Sequence, residues 1–200
     1  MSRCHAVLAA ALLGAGAASS HATVVALAAD GAWNAFNVDA LVARSFGVEW
    51  IDNANTLSPG FGTPLEFTFT VPGGSRGRLT VVDAGFSGDT FRVGDAGRPL
   101  GSTSAVPPQT FDAGSADIGT DFDAALADAR FSRVVFDLDP GAHRIGGALD
   151  QSVLDGSGTP LDSTIGALKL SIFAVPEPSA WTTLTASLAT LVFVRRRRRD

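Results

Sequence analysis

A strictly alternating segment, Leu65–Val71, sets the tightest limit on how this chain folds. Its apolar residues recur at every second position, so they line one face of a β-strand and not one face of a helix. The turn sequence Pro72-Gly73-Gly74 follows, and residues 77–83 then predict a return strand. This part of the chain therefore predicts a sheet with one buried face.

Further strands are predicted along the chain, separated by turns rich in Gly, Pro and Asp. They cover residues 23–28, 33–38, 48–51, 89–93, 132–138, 142–149 and 166–173, with a turn at Pro140-Gly141. One helix is predicted at residues 121–130, where an Ala-rich run follows Thr120 or Asp121 as the N-cap. Short strands at this spacing are typical of an all-β fold, an antiparallel β-sandwich or jelly roll, here with one short helical insert.

The first 22 residues have the three parts of a secretory signal peptide. Arg3 gives a positive start, an apolar stretch runs from Ala6 to Ala18, and Ser20-His21-Ala22 offers small residues for cleavage. We expect export through the secretion translocon and cleavage by signal peptidase after Ala22. The alternatives are cleavage after Ala28, which would remove the first predicted strand, and a buried N-terminal helix.

The expected body, residues 23–174, is acidic and lacks cysteine. It holds 16 Asp and 2 Glu against 8 Arg and 1 Lys, a formal net charge of −9, whereas the whole chain carries −5. Such a surface argues against nucleic acid as a partner and is compatible with divalent cations, cationic partners or solubility alone. Because Cys4 lies within the signal peptide, the body has no disulfide and must be stabilised by packing.

The last 26 residues, 175–200, differ sharply from the body. A short motif is followed by Trp181, an apolar run to Val194 and an arginine run. The motif consists of Val175, Pro176, Glu177, Pro178 and Ser179, and the arginines are Arg195, Arg196, Arg197, Arg198 and Arg199. A helix over residues 181–194 would be about 21 Å long, shorter than the bilayer core of about 30 Å. Arginines beside it favour the cytoplasmic side. We expect a short hydrophobic helix that anchors the chain transiently; an ordinary tail anchor and a nucleic-acid-binding basic tail are the alternatives.

This order of motif, tryptophan, apolar helix and arginine run resembles the PEP-CTERM sorting signal. The resemblance implies that Pro176, Glu177 and Pro178 are recognised by an exosortase, an integral-membrane cysteine protease of Gram-negative bacteria. Two prolines keep the motif extended, as a protease cleft requires. The expected organisation is a signal peptide (1–22), a β-sandwich domain (23–174) and a sorting signal (175–200), in a protein of the cell surface or extracellular matrix associated with extracellular polysaccharide and biofilm.

Parts of the body are similar to other members of this sorted class. Residues 32–38, 48–52 and 81–91 look like recurring sequence phrases in such proteins. Their domains are mostly uncharacterised, so this similarity implies a secreted β-sandwich and no particular activity.

Catalytic side chains are scarce in the body. His143 is its only histidine, and neither a Gly-x-Ser-x-Gly elbow nor a cysteine nucleophile is present. Paired carboxylates can cleave glycosides, but sixteen aspartates bring some pair to any separation by chance. We therefore expect a structural or adhesive protein without catalytic residues, and a hydrolase is the third alternative.

A structural Ca²⁺ is the one cofactor that the sequence suggests. Asp117, Asp121 and Asp123 supply carboxylates at short spacing, as calcium loops do. The central Gly and the distal Glu of an EF-hand are missing, and no zinc ligand set is present.

A carbohydrate-binding module is the second alternative for function. Trp33 and Trp50 are the only tryptophans of the body, and the polar residues Asn34, Asn37, Asp52 and Asn53 are close to them in sequence. A tryptophan in an alternating strand usually lies in the core. Trp33 shares its face with Ala35 and Asn37, so it is the better candidate for exposure.

Overall fold

A computed structural model describes residues 21–45 and 47–175 of the chain. Most of the expected signal peptide, the motif residues Pro176, Glu177, Pro178 and Ser179, the apolar run and the arginine run lie outside these residues. Among the described residues, no helix combines the length and the hydropathy needed to cross a bilayer.

The described residues form one helix and nine strands, and the strands make two sheets. The elements are β1 (Thr23–Ala26), β2 (Asn34–Asp39), β3 (Leu65–Val71), β4 (Ser75–Ala84), β5 (Thr90–Asp95), β6 (Arg98–Ser102), α1 (Phe122–Ala127), β7 (Arg133–Leu138), β8 (Gly141–Gln151) and β9 (Ser163–Ala174). The order is β1-β3-β8-β5-β6 in the five-stranded sheet and β2-β9-β4-β7 in the four-stranded sheet. Only the β1–β3 pair is parallel within these two sheets.

The sequence-based prediction of a mostly antiparallel β-sandwich with one short helix is confirmed, and β3 has the predicted ends. The segment 48–51 is not a strand, because only Glu49 and Ile51 make isolated bridges there. The pattern also missed β6, whose short sequence contains a proline and a glycine. Such residues weaken a strand signal, but an edge strand tolerates them.

The turn at Pro72–Gly74 does not form the predicted hairpin. β3 pairs with β1 and β8, whereas β4 pairs with β7 and β9, so this turn carries the chain from one sheet to the other. Pro140-Gly141 likewise joins β7 to β8 across the sandwich. Alternation identifies the buried face of a strand but not its neighbour, which explains the error. Among the described strands, β5 and β6 form the one hairpin that stays within a single sheet. Its turn contains Ala96 and Gly97, both at positive φ.

The main core lies between the sheets. Buried residues of both sheets meet there: Phe36, Val38, Leu65, Phe67, Leu79, Val81, Phe91, Val93, Leu138, Ile145, Leu149, Leu168 and Leu170, with Leu27 and Trp50 from the connections. A Cβ on Gly147 would lie 2.5 Å from the Trp50 ring, and a Cβ on Gly166 would collide with Phe36. Glycine at these two positions therefore makes room for the largest aromatic side chains of the core.

Helix α1 covers a second, smaller cluster on the four-stranded sheet. Val82 and Ala84 of β4 pack there with Ala125 of α1 and with Phe131. The Asp121 carboxylate accepts a hydrogen bond from the Ala124 backbone N–H at 3.0 Å, which confirms Asp121 as the N-cap. The helix ends at Ala127 rather than at the predicted residue 130, because Asp128 is extended.

Candidate functional site

A groove crosses the outer face of the five-stranded sheet, and glycine forms its floor. Gly94 of β5 lies opposite Gly146 of β8 on one side and opposite Pro99 of β6 on the other. Their buried neighbours Val93 and Ile145 point into the core, so Gly94 and Gly146 face outward. The groove has a volume of about 420 Å³, within the usual range of small-ligand sites.

Arginine side chains line this groove. Arg92 binds Asp150, with 3.2 Å between Nε and Oδ1, and Arg144 binds Glu66. Arg98 is exposed and makes no ion pair within the described part of the chain. The ionisable lining consists of these three arginines with Glu49 and Glu66, a formal charge of +1 on a domain of −9.

Two of the residues beside the groove each carry a buried polar atom that has no hydrogen-bond partner. Trp50 Nε1 is a donor and Glu49 Oε1 is an acceptor, and both are enclosed without a partner. The edge of the Trp50 ring, at Cε2 beside Nε1, lies against Gly147. An unpaired buried polar group costs about 1–3 kcal/mol of stability.

Neither of the two tryptophans predicted to bind sugar is fully exposed to solvent. Trp50 is fully buried and its ring stacks on Phe36, so the prediction that its ring receives a ligand is wrong. Trp33 is half-buried. Lys169 Nζ lies 4.1 Å from the centre of its ring and covers one face. The Trp33 indole N–H donates to Asp123 Oδ1 at 3.0 Å. Core packing explains Trp50, because a tryptophan ring gains most from burial.

The carboxylates proposed for Ca²⁺ are not assembled into one site. Asp117 accepts a hydrogen bond from the Gly119 backbone N–H, Asp121 caps α1, and Asp123 binds Trp33 and Lys169. Hydrogen bonds from Trp33 and Lys169 lower the pKa of Asp123, and the bond from Trp33 has the larger effect. Within residues 21–45 and 47–175, no three His, Cys, Asp or Glu side chains are grouped to hold a metal.

The polar residues near the tryptophans do come together. Asn34, Asn37, Asp52 and Asn53 line a second cavity of about 260 Å³, which Val25 of β1 and Phe67 of β3 also border. Trp33 is not part of that lining. This cavity is therefore a separate place for a polar ligand, away from the arginines of the groove.

His143 has no ring nitrogen left for catalysis in the described structure. Its Nδ1 lies 2.7 Å from Asp95 Oδ2, and its Nε2 lies 2.9 Å from the Asp139 carbonyl oxygen. The ring also stacks on Phe69, with 5.1 Å between ring centres. Both nitrogens thus face acceptors, an arrangement that suits a structural side chain.

Sequence reasoning missed the groove. Its charged residues are scattered from Glu49 to Arg144, and no local motif joins them. Gly94 and Gly146 meet only through the register of β5 and β8. The one signal in the sequence is an adjacent glycine pair, Gly146-Gly147, inside a predicted strand, since such glycines mark bulges or close approaches.

The comparisons with known proteins leave the family open. No family model matches the chain, and no curated protein matches it. Among solved structures, the chain is similar to the pre-peptidase C-terminal domain of a collagenase from Bacillus anthracis, with a TM-score of 0.35 and 7% identity. That likeness covers 76% of this chain and 96% of the collagenase domain. At this TM-score it supports no inference about what the chain does.

Proposed function

We propose that this chain is an exported, non-catalytic protein of the cell surface or extracellular matrix whose sandwich domain binds polysaccharide in the groove. The observation that carries the proposal is the groove on the outer face, where Arg98 is exposed and has no ion-pair partner in the described part of the chain. A sugar hydroxyl both donates and accepts hydrogen bonds, so it can pair with the guanidinium and carboxylate groups among the lining residues.

The charge of the groove favours acidic sugar units. Arg98 has no carboxylate partner in the described part of the chain, and Arg92 and Arg144 extend the same positive strip. A guanidinium group binds a carboxylate or a sulfate through two parallel hydrogen bonds. A uronic acid polymer offers both hydroxyls and carboxylates, which matches the lining better than a neutral glucan does.

The terminal segments support the proposed location. The signal peptide pattern of residues 1–22 and the resemblance of residues 175–200 to a PEP-CTERM signal suggest export by the translocon. In this proposal, signal peptidase removes the first segment and an exosortase processes the second. The chain is then held briefly at the inner membrane before it reaches the polysaccharide outside the cell.

Binding is tested with polygalacturonate as the acidic probe and dextran as the neutral one. We expect Arg98→Ala to weaken binding of polygalacturonate at least about 10-fold, because a hydrogen bond to a charged group is worth about 1.5–3 kcal/mol. Arg76→Ala is the matched control, since Arg76 is a half-exposed arginine that pairs with Asp139 outside the groove. Calorimetry or affinity electrophoresis measures both.

Four results would contradict the proposal. The first is equal binding by the Arg98→Ala variant and the parent protein, and the second is no binding of either polymer. A loss on Asn37→Ala instead of Arg98→Ala would place the ligand in the second cavity. Release of reducing ends from the probe would show a hydrolase, with Glu49 and Glu66 as the carboxylates to test.

A further inference from the structure

Two aspartates that no motif singled out are buried together at one end of the four-stranded sheet. Asp83 lies near the end of β4 and is 0% exposed, and Asp89 directly precedes β5 and is 1% exposed. The connection between them bends at Gly85 and Gly88, which have φ values of 67° and 125°. Glycine adopts such values without strain, so this loop can fold tightly back on itself.

Three carboxylate oxygens at this place accept no hydrogen bond of normal geometry, although backbone N–H groups of the loop lie near Asp83. They are Oδ1 and Oδ2 of Asp83 and Oδ2 of Asp89. The other oxygen of Asp89 accepts a hydrogen bond from the Val153 backbone N–H at 2.7 Å. No Lys, Arg or His of the described residues forms an ion pair with either carboxylate. These oxygens are therefore enclosed acceptors without a compensating charge.

The electrostatics of the pair show how unfavourable this arrangement is. Burial, followed by the charge of Asp89, raises the pKa of Asp83 well above its usual value, and backbone N–H groups of the loop offset this only in part. Burial also raises the pKa of Asp89 to about 6; hydrogen bonds from the Thr164 hydroxyl and the Val153 backbone N–H oppose this rise, and the charge of Asp162 adds to it. A buried carboxylate is stable when it is neutralised or when it binds a cation.

We propose that Asp83 and Asp89 hold a divalent cation with the size and hardness of Ca²⁺. Calcium takes six to eight oxygen ligands, and it accepts backbone carbonyls and water beside carboxylates. Two carboxylates with three unpaired oxygens can thus supply part of its shell, and neighbouring carbonyls and water the rest. The net charge of −9 on the domain attracts such ions.

The site has a structural consequence. Asp83 belongs to the four-stranded sheet, Asp89 leads into β5 of the five-stranded sheet, and Val153 lies in the connection between β8 and β9. A bound cation would fasten these three parts of the chain at one end of the sandwich. Neither Asp83 nor Asp89 lines the groove.

The test compares thermal unfolding of the purified full-length chain in CaCl₂ and in EDTA, with calorimetric titration of Ca²⁺. At a free Ca²⁺ concentration 100-fold above Kd, we expect the Tm to rise by about 5–10 °C. Asp83→Asn and Asp89→Asn should abolish the rise. Asp137→Asn is the matched control, because it removes one aspartate charge at an exposed position paired with Arg78.

The parent protein alone can overturn the proposal, even if a variant fails to fold. An unchanged Tm between EDTA and millimolar Ca²⁺, with no heat of binding, would show that no cation binds. A Ca²⁺-dependent rise that persists in Asp83→Asn and Asp89→Asn would place the ion elsewhere. Asp83→Asn as stable as the parent, together with no Ca²⁺ effect, would indicate that the Asp83 carboxyl group is neutralised by a proton and not by a cation.

Discussion

The rings of Phe36 and Trp50 are stacked, with 3.8 Å between their centres and 16° between their planes. Each ring also lies against a glycine: Phe36 against Gly166 of the four-stranded sheet and Trp50 against Gly147 of the five-stranded sheet. The aromatic pair thus fills the space of two missing side chains on opposite sheets. This packing holds the Trp50 ring within the core.

This arrangement predicts that Gly147→Ala destabilises the domain. The new Cβ would lie 2.5 Å from the Trp50 ring and 2.7 Å from the Arg92 carbonyl oxygen, so packing must shift. Overpacking of a core costs about 1–3 kcal/mol, to be measured by urea unfolding. Gly73→Ala is the control, because a Cβ at Gly73 meets no atom within 4 Å. Equal stability of the two variants would contradict the close contact.

The N-cap of α1 gives a second prediction. Asp121→Ala should lower the free energy of unfolding by about 1 kcal/mol, because the Ala124 N–H loses its acceptor. The loss should be the same in Ca²⁺ and in EDTA, since Asp121 acts as a cap. Asp112→Ala, at another exposed aspartate, is the control and should have little effect. A loss that appears only in Ca²⁺ would restore Asp121 as a calcium ligand.

The buried carboxyl groups predict how stability depends on pH in EDTA. The pKa of Asp89 is about 6 in the folded protein and about 3.8 in the unfolded chain, so the folded state binds more protons between these values. The free energy of unfolding should therefore be highest near pH 4 and fall as the pH rises through 6, by about 3 kcal/mol for this group. The raised pKa of Asp83 acts in the same direction.

Asp89→Asn provides the control for this pH dependence. Its unfolding free energy, measured in urea at pH 4, 5, 6 and 7, should vary less than that of the parent protein. The hydrogen bond from Arg130 lowers the pKa of Asp128 to about 2, so that exposed group contributes with the opposite sign and only below about pH 4. A parent protein that becomes more stable between pH 4 and 6 would contradict the assignment.

The sorting signal predicts a processing defect. Glu177→Ala should leave unprocessed protein at the inner membrane, if the exosortase reads Glu177 between its two prolines. The measurement is the mass of the protein recovered from its native host. Loss of residues 1–22 and of the residues after the motif establishes export and sorting. A parent chain that keeps its arginine run, or normal maturation of the variant, would contradict this prediction.

The sequence predicted strands well where the pattern of side chains was local. The alternation of Leu65–Val71 marks a half-buried strand, and Asp121 before an alanine-rich run marks a helix start. It failed where the structure depends on partners far along the chain. Nothing near Pro72–Gly74 shows that β4 joins the other sheet, because pairing depends on β9, almost a hundred residues later.

The candidate sites show the same limit. Trp33 and Asp123 were predicted to serve different ligands, yet they bind each other across the fold. Asp83 and Asp89 appear in the sequence as two aspartates among many, and only burial distinguishes them from exposed ones. The groove depends on the register that sets Gly94 opposite Gly146. Local sequence patterns reveal the strands, whereas the candidate sites depend on contacts between residues far apart in the chain.

The position of β9 between β2 and β4 has a consequence for the timing of folding. Two of the three strand pairs of the four-stranded sheet include β9, which ends at Ala174, so neither pair can form before the end of the domain is delivered. The four-stranded sheet therefore cannot be completed until nearly all of the domain is available for folding. Late closure of this kind would suit the export proposed above, because an unfolded chain can pass through a narrow channel and a compact one cannot.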